Sequence, residues 1–344
     1  MQCSIFAPLC AMLWPIGHGQ SGVSQAFAPD DAMSVNESGA DGGSMLVRMF
    51  VATLALLALL GCAASAGRVG VLSGGKPRSY KLVAAPGDDG APRPLVIALH
   101  GWLGTPEQMA SMSGLSSAAA QRGFAVIYPE GDWRSWGIDP SSPRGATDVA
   151  FLADVVADVA ARIPVDPARI TAVGFSNGGF MAQALACSGR VRLAGVAVIA
   201  SGLAASAAAS CRPGVAVPFL LIEGTDDPVV PANGTGTGEG RILPANETLA
   251  FWATGNRCNG FDLAQAESKE PGVTILRAIG RQCRGGDTEA WFVQGAGHGW
   301  PGRDVGYPEF LVGRRTSAID ATSVVVEFLL RQVIASPPPR IGSQ

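Results

Sequence analysis

Charge is scarce in this chain. Only 15% of its 344 residues are Asp, Glu, Lys or Arg, and the formal net charge is -3, so the basic surplus that a phosphate-backbone binder needs is missing and nucleic acid is excluded as a partner. Histidine is scarcer still. His18, His100 and His298 are all there is, and without a Cys-x-x-Cys or Cys/His spacing neither a zinc cluster nor any other metal or cofactor is expected. No apolar run reaches the roughly 20 residues of a bilayer-spanning helix, and no internal repeat is visible. Disorder is excluded from the other side, because 47% of the residues are hydrophobic and disorder requires low hydrophobicity. What remains is one large globular domain or two small ones, with the mean hydropathy of +0.25 raised by an apolar targeting segment near the start.

That segment is residues 49–60, MFVATLALLALL, too short to span and of the right length for a signal-peptide core. Such a core needs a positive residue just before it, and Arg48 is the only Lys or Arg in the first 48 positions. A start at Met45, or at Met33, makes residues 1–44 an over-extended N-terminus and 45–66 the signal-peptide and lipobox region. Leu59-Leu60-Gly61-Cys62 resembles a bacterial lipobox, in which Cys62 is lipidated and attaches the chain to a membrane. The other reading is cleavage after Ala64-Ser65-Ala66, which releases a soluble protein. Either way the chain is expected to be exported, extracellular or held at the cell envelope, and monomeric.

Export changes how the cysteines are read. Cys187, Cys211, Cys258 and Cys283 then lie in an oxidising compartment, where four cysteines allow three pairings. Their near-equal spacings favour Cys187–Cys211 and Cys258–Cys283, each loop worth roughly 3 to 4 kcal/mol in the chain-entropy model; four buried free thiols are the alternative.

From residue 67 to 335 strands and helices alternate, as in a single catalytic domain followed by a short Pro-rich tail at 336–344. Strands are expected at 79–84, 94–99, 124–128, 170–175, 193–200, 217–223, 275–279 and 290–293. Helices are expected at 105–121, from Asp148 as N-cap to Pro164, at 177–187, 246–256 with Asn246 as a cap, and 317–334. The run PLVIAL at 94–99 is apolar on both faces, as a sheet covered on both sides requires. The succession predicts an α/β fold with one doubly wound, mainly parallel sheet and a ligand site beyond the C-terminal strand ends.

Three loops carry chemistry. The 170–175 strand runs into Gly174-Phe175-Ser176-Asn177-Gly178-Gly179, a G-x-S-x-G elbow in which glycines let the backbone turn sharply and push the serine hydroxyl out above the sheet. With 45 glycines in the chain the motif has weight only through its strand–turn–helix context, which is present. A serine needs a base oriented by a carboxylate, and the chain order should be Ser, acid, His. After Ser176 only His298 remains, between glycines on the loop after the 290–293 strand. The acid should follow the 217–223 strand, at Asp227 or its neighbour Asp226, with the proline after Asp227 favouring Asp227. Donors for the developing oxyanion should be the backbone N–H of Asn177 and that of Trp102, or Leu103, in His100-Gly101-Trp102-Leu103-Gly104. His100 itself reads as a prop of that loop.

Taken together, HGW, the YPEG of residues 128–131, the Asp166-Pro167-Ala168-Arg169 lead-in to GFSNGG, EGTDDPVVP and GHGWPG resemble the polyhydroxybutyrate depolymerase and feruloyl esterase group of exported α/β-hydrolases, similar to the first carbohydrate esterase family. The resemblance spans roughly residues 78–335. It implies an α/β-hydrolase fold, a Ser176, Asp227, His298 triad acting on carboxylic esters, and disulfides of the kind just described. Three positions depart from the group: Glu223 where His is more usual, Trp102 where a small residue or Cys is, and Ala232 where Tyr commonly follows the proline. They flank the cleft, so they bear on substrate rather than on reaction.

The 16 residues between the strands ending at 200 and beginning at 217 leave no room for a helical lid domain. Trp133, Trp136 and Trp300 stand on loops where they could wall an open groove for an acyl or aryl group. The expectation is a serine esterase acting on soluble hydroxyalkanoate oligomers or on aryl and small acyl esters. A general lidless carboxylesterase or lipase is the nearer alternative, and a non-catalytic envelope lipoprotein the farther one.

Overall fold

The structure is a computed structural model that describes residues 67–84, 90–212, 214–304 and 307–335. The leader, Cys62 and the 336–344 tail lie outside the described residues.

Among these, ten strands form one sheet in the order β1-β2-β4-β3-β5-β6-β7-β10-β9-β8. Its centre is parallel: β4 (Ala125–Pro129), β3 (Arg93–Leu99), β5 (Val165–Phe175), β6 (Gly195–Ile199), β7 (Phe219–Gly224) and β10 (Thr288–Gln294) run side by side. Antiparallel strands extend both edges, β2 (Lys76–Val83) and β1 (Arg68–Ser73) on one side, β9 (Thr274–Gly280) and β8 (Phe261–Glu267) on the other. This is the α/β-hydrolase arrangement, and it places every central loop that follows a strand at one edge of the sheet.

Both sheet faces are covered. Leu95, Ile97, Leu99, Ala172, Val198 and Leu221 pack on one side against α3 (Pro143–Arg162), α4 (Asn177–Ser188) and α6 (Ala245–Gly255). The alternate residues Val96, Ala98, Val173, Ile199 and Ile222 pack on the other against α1 (Pro106–Ser113), α2 (Leu115–Ala120) and α7 (Ala321–Ala335). Alternate side chains point to opposite faces of a strand, so two helical layers demand the apolar-throughout runs that β3, β6 and β7 carry.

Several boundaries move for local reasons. The helix expected at 105–121 is two, because Gly114 adopts φ 61 and serves as C-cap of α1 and N-cap of α2. Asp148 is not an N-cap. Ser142 caps α3, its hydroxyl accepting from the Gly145 N–H at 3.0 Å, and Asp148 sits buried inside the helix, accepting from the Gly137 N–H at 2.9 Å and facing the Arg78 guanidinium at 3.2 Å. Nor does Asn246 cap α6, which starts at Ala245 with Pro244 before it. Disulfides join Cys187 to Cys211 and Cys258 to Cys283. The first ties the end of α4 to the residues after α5 (Ala205–Ala209), and the second ties the end of α6 to the β9–β10 connection.

Candidate active site

β5 ends at Phe175 and α4 starts at Asn177, so Ser176 alone makes the turn, at φ 53 and ψ -121. A side-chain-bearing residue held in that region stores strain, which persists only where the surroundings impose it. The glycines show how they do. A Cβ on Gly174 would lie 2.2 Å from the Gly178 carbonyl oxygen, and one on Gly178 would lie 2.2 Å from that of Leu99. The elbow therefore closes only with glycine at both places, and it leaves Ser176 8% exposed at the sheet edge.

The loops after β7 and β10 meet because their strands are parallel neighbours, Val293 opposite Gly224. A Cβ on Gly224 would strike the Ala296 carbonyl oxygen at 2.4 Å, and the Asp226 N–H donates to that same oxygen at 2.9 Å. Pressed together in this way, the loops set Asp227 Oδ2 2.7 Å from His298 Nδ1. The other Asp227 oxygen accepts from the N–H groups of Val229 and Val230 at 2.7 and 2.8 Å, which fixes the carboxylate. Asp226 is exposed and takes the Thr225 hydroxyl, so of the two acids it is Asp227 that faces His298. The His298 ring packs at 5.0 Å on that of Phe175, the residue before Ser176.

Gly101 to Gly104 form a tight turn closed by the Gly104 N–H donating to the Gly101 carbonyl at 3.0 Å, with Leu103 at φ 56. His100 stands beneath it. Its Nε2 accepts from the Gly131 N–H at 3.0 Å, so Nδ1 carries the proton and donates to the Gly101 oxygen at 2.7 Å. Burial is the main reason its pKa drops to about 4, and the neutral ring joins the β3 and β4 loops as a prop. Asn177 does more than offer a backbone N–H. Its side-chain oxygen accepts from the Trp136 N–H at 2.7 Å and its amide donates to the Trp136 carbonyl at 3.2 Å, tying the start of α4 to the β4 loop.

The three tryptophans divide. Trp133 is 85% exposed, but Trp136 and Trp300 are each 2% exposed, with indole N–H groups donating to the His100 carbonyl and the Thr322 hydroxyl. Trp136 packs beneath the loops rather than walling a cleft, whereas Trp300, equally buried, borders the small cavity beside Phe175 and His298. Trp102, 45% exposed, lies nearer the surface, and its carbonyl accepts from the Tyr307 hydroxyl at 3.3 Å. Tyr307 gave no sequence signal because it comes nine residues after His298 in an irregular segment. Among the described residues no group of His, Cys, Asp and Glu side chains could hold a metal ion.

The family model described as Esterase PHB depolymerase matches residues 78–231, which contain the elbow and the acid turn. NocK of Nocardia uniformis subsp. tsuyamanensis, a protein named as an esterase, is 33% identical over 280 residues, 76% of this chain and 81% of its own. The chain belongs to this esterase family. It is a carboxylic ester hydrolase. Feruloyl esterase B of Piromyces equi is 30% identical over 224 residues, 62% of this chain and 40% of that protein. Among solved structures, the acetyl xylan esterase from Aspergillus awamori aligns with a TM-score of 0.49 at 15% identity, over 67% of this chain and 94% of that one.

Proposed function

We propose that this esterase works by ping-pong acyl transfer through Ser176, His298 and Asp227. The observation that carries the reading is the 2.7 Å contact between His298 and Asp227 on loops flanking a serine held in a strained elbow. Ser176 Oγ attacks the ester carbonyl carbon while His298 takes its proton, and Asp227 stabilises the resulting imidazolium. The oxyanion is met by the N–H of Asn177, at the start of α4 where amides lack intrahelical acceptors, and by that of Trp102 or Leu103 in the turn above His100. Collapse expels the alcohol, which takes the proton from His298. Water then attacks the acyl-serine with His298 again as base.

The substrates proposed are soluble hydroxyalkanoate oligomers or aryl and small acyl esters. The short α5 between β6 and β7, and Trp133 and Trp102 standing exposed on loops at this edge, support an open groove with aromatic margins. Export of a catalytic domain spanning 67–335, as a monomer either lipidated at Cys62 or cleaved after Ala66, is part of the proposal. Two disulfides suit an oxidising compartment, and lipid-analogue labelling that survives Cys62→Ser would exclude the anchor. A panel of feruloyl, hydroxybutyryl and simple acyl esters tests the substrate class. Selective turnover of the first two supports it, whereas uniform turnover rising with acyl length points to a general lidless carboxylesterase.

A further inference from the structure

One acid near the triad is not used by this mechanism. Glu223, on β7 just ahead of the acid turn, is 1% exposed. Its Oε2 accepts from the Ser201 N–H at 3.1 Å, whereas Oε1 is buried with no partner. Among the described residues no Arg or Lys pairs with it. A buried carboxylate with one hydrogen bond and no cation is costly, and Asp227 stands four residues along the same turn. Burial first and the charge of Asp227 second push the Glu223 pKa well above the ordinary carboxylate range, against which the Ser201 bond pulls weakly. The proton belongs on Oε1, since Oε2 already accepts.

The Ser201 corner bears on the nucleophile. A Cβ on Gly179 would meet Ser201 Cβ at 2.5 Å, so this corner presses on the first turn of α4. The Ser176 N–H donates to the Ile199 carbonyl at 2.9 Å. Between them Ala200 sits at φ 51, a conformation that must be imposed on a residue with a Cβ. Glu223 thus touches both halves of the machinery, the acid turn through the chain and the elbow through Ser201.

We propose that Glu223 is a positioning residue that works in its protonated form, holding the Ser201 corner under the Ser176 elbow while leaving Asp227 the only negative charge that His298 meets. The proposal rests on the triad reading above. Among the groups around it, Asp227 carries charge and His298 lies beyond, in contact with Asp227. Asp226 is exposed on the same turn. The neighbouring strand β10 places Phe292 opposite, and the corner after β6 brings the Ser201 N–H; neither residue titrates. Ionisation of Glu223 leaves an unpaired buried charge against the Ser201 corner, which loosens the support under the Ser176 elbow, so activity declines as pH rises.

Glu223→Gln keeps the shape, the acceptor for Ser201 and the absence of charge. The variant should hydrolyse p-nitrophenyl butyrate with kcat and KM within about twofold of the wild type at neutral pH, and its alkaline decline should be lost or moved up by about one pH unit or more. A second reading needs no catalysis: thermal unfolding of Ser176→Ala with and without Glu223→Gln. A carboxyl whose folded pKa is raised contributes stability below its unfolded pKa and loses it as pH rises towards the folded value. The Tm advantage of the Gln variant should therefore widen as pH rises above the ordinary carboxylate range. An unchanged alkaline limb with a constant Tm difference overturns the proposal. So does a tenfold or greater loss of kcat at neutral pH, or a Gln variant that fails to fold, since either makes the ionised form the working one. If the wild type hydrolysed no ester at all, the triad reading would fall, while the Tm series would still decide whether Glu223 keeps its proton.

Discussion

Asp227 Oδ2 and His298 Nδ1 lie 2.7 Å apart although 71 residues separate them in the chain. The contact follows from topology: β7 and β10 are parallel neighbours, their loops leave the same sheet edge, and Gly224 lets the two backbones touch. Asp226, one residue earlier, faces solvent. Asp227→Asn should therefore lower kcat by roughly 10³- to 10⁴-fold through the wrong imidazole tautomer, and Asp226→Asn should stay within about threefold. A p-nitrophenyl butyrate assay on both purified variants checks this, and equal losses would contradict it.

Trp133 and Trp136 are three residues apart and should behave oppositely. Trp136 is buried, stacks on Phe151 and donates to the His100 carbonyl, so Trp136→Ala should cost about 3–5 kcal/mol of stability. Trp133 is exposed, and Trp133→Ala should leave the unfolding midpoint within about 0.5 kcal/mol of the wild type while raising KM for aryl esters. Denaturant unfolding and steady-state kinetics separate the two.

His100 supplies a pH signature. Its pKa falls to about 4 in the folded protein, below the usual value near 6.5 of an unfolded chain. A base whose folded pKa is depressed stabilises the fold fully above the unfolded pKa, and the contribution disappears as pH falls through the folded one. The wild type should lose about 3 kcal/mol between pH 6.5 and pH 4 from this group. His100→Gln should be less stable at neutral pH and lack that part of the acid decline, which urea unfolding at a series of pH values would show.

Each disulfide closes a loop with a sequence separation of 24 or 25 residues. Replacing Cys187 and Cys211 by Ser together should cost about 3 kcal/mol, and replacing Cys258 and Cys283 about as much. Unchanged unfolding of either double variant would show that the bridge does not constrain the denatured chain.

The parts legible in sequence were those governed by local rules. Ser176 was legible because only a glycine-flanked residue fits the elbow, and His298 because no other histidine follows Ser176. The disulfide pairing followed from spacing, and the central strands from unbroken apolar runs. Edge strands were not legible: β1 and β8 lie at the sheet margins, and β8 reads FDLAQAE, with Leu263 exposed. The fates of Trp136 and Trp300 were not legible either. An indole on a loop next to a site looks the same in sequence whether the chain turns it outward or under, and here the acceptors at His100 and Thr322 draw both inward. Glu223 read as a departure in the cleft, and only its buried, unpartnered oxygen gives it a physical role.

Hydrolysis by this route requires Ser176 to carry the acyl group. The most direct measurement is mass spectrometry of the protein after exposure to a p-nitrophenyl phosphonate, with peptide mapping of the adduct. One phosphonyl group on the peptide containing Ser176, absent from Ser176→Ala and much slowed in Asp227→Asn, is the predicted result. An adduct on another residue, or ester hydrolysis undiminished in Ser176→Ala, would contradict it.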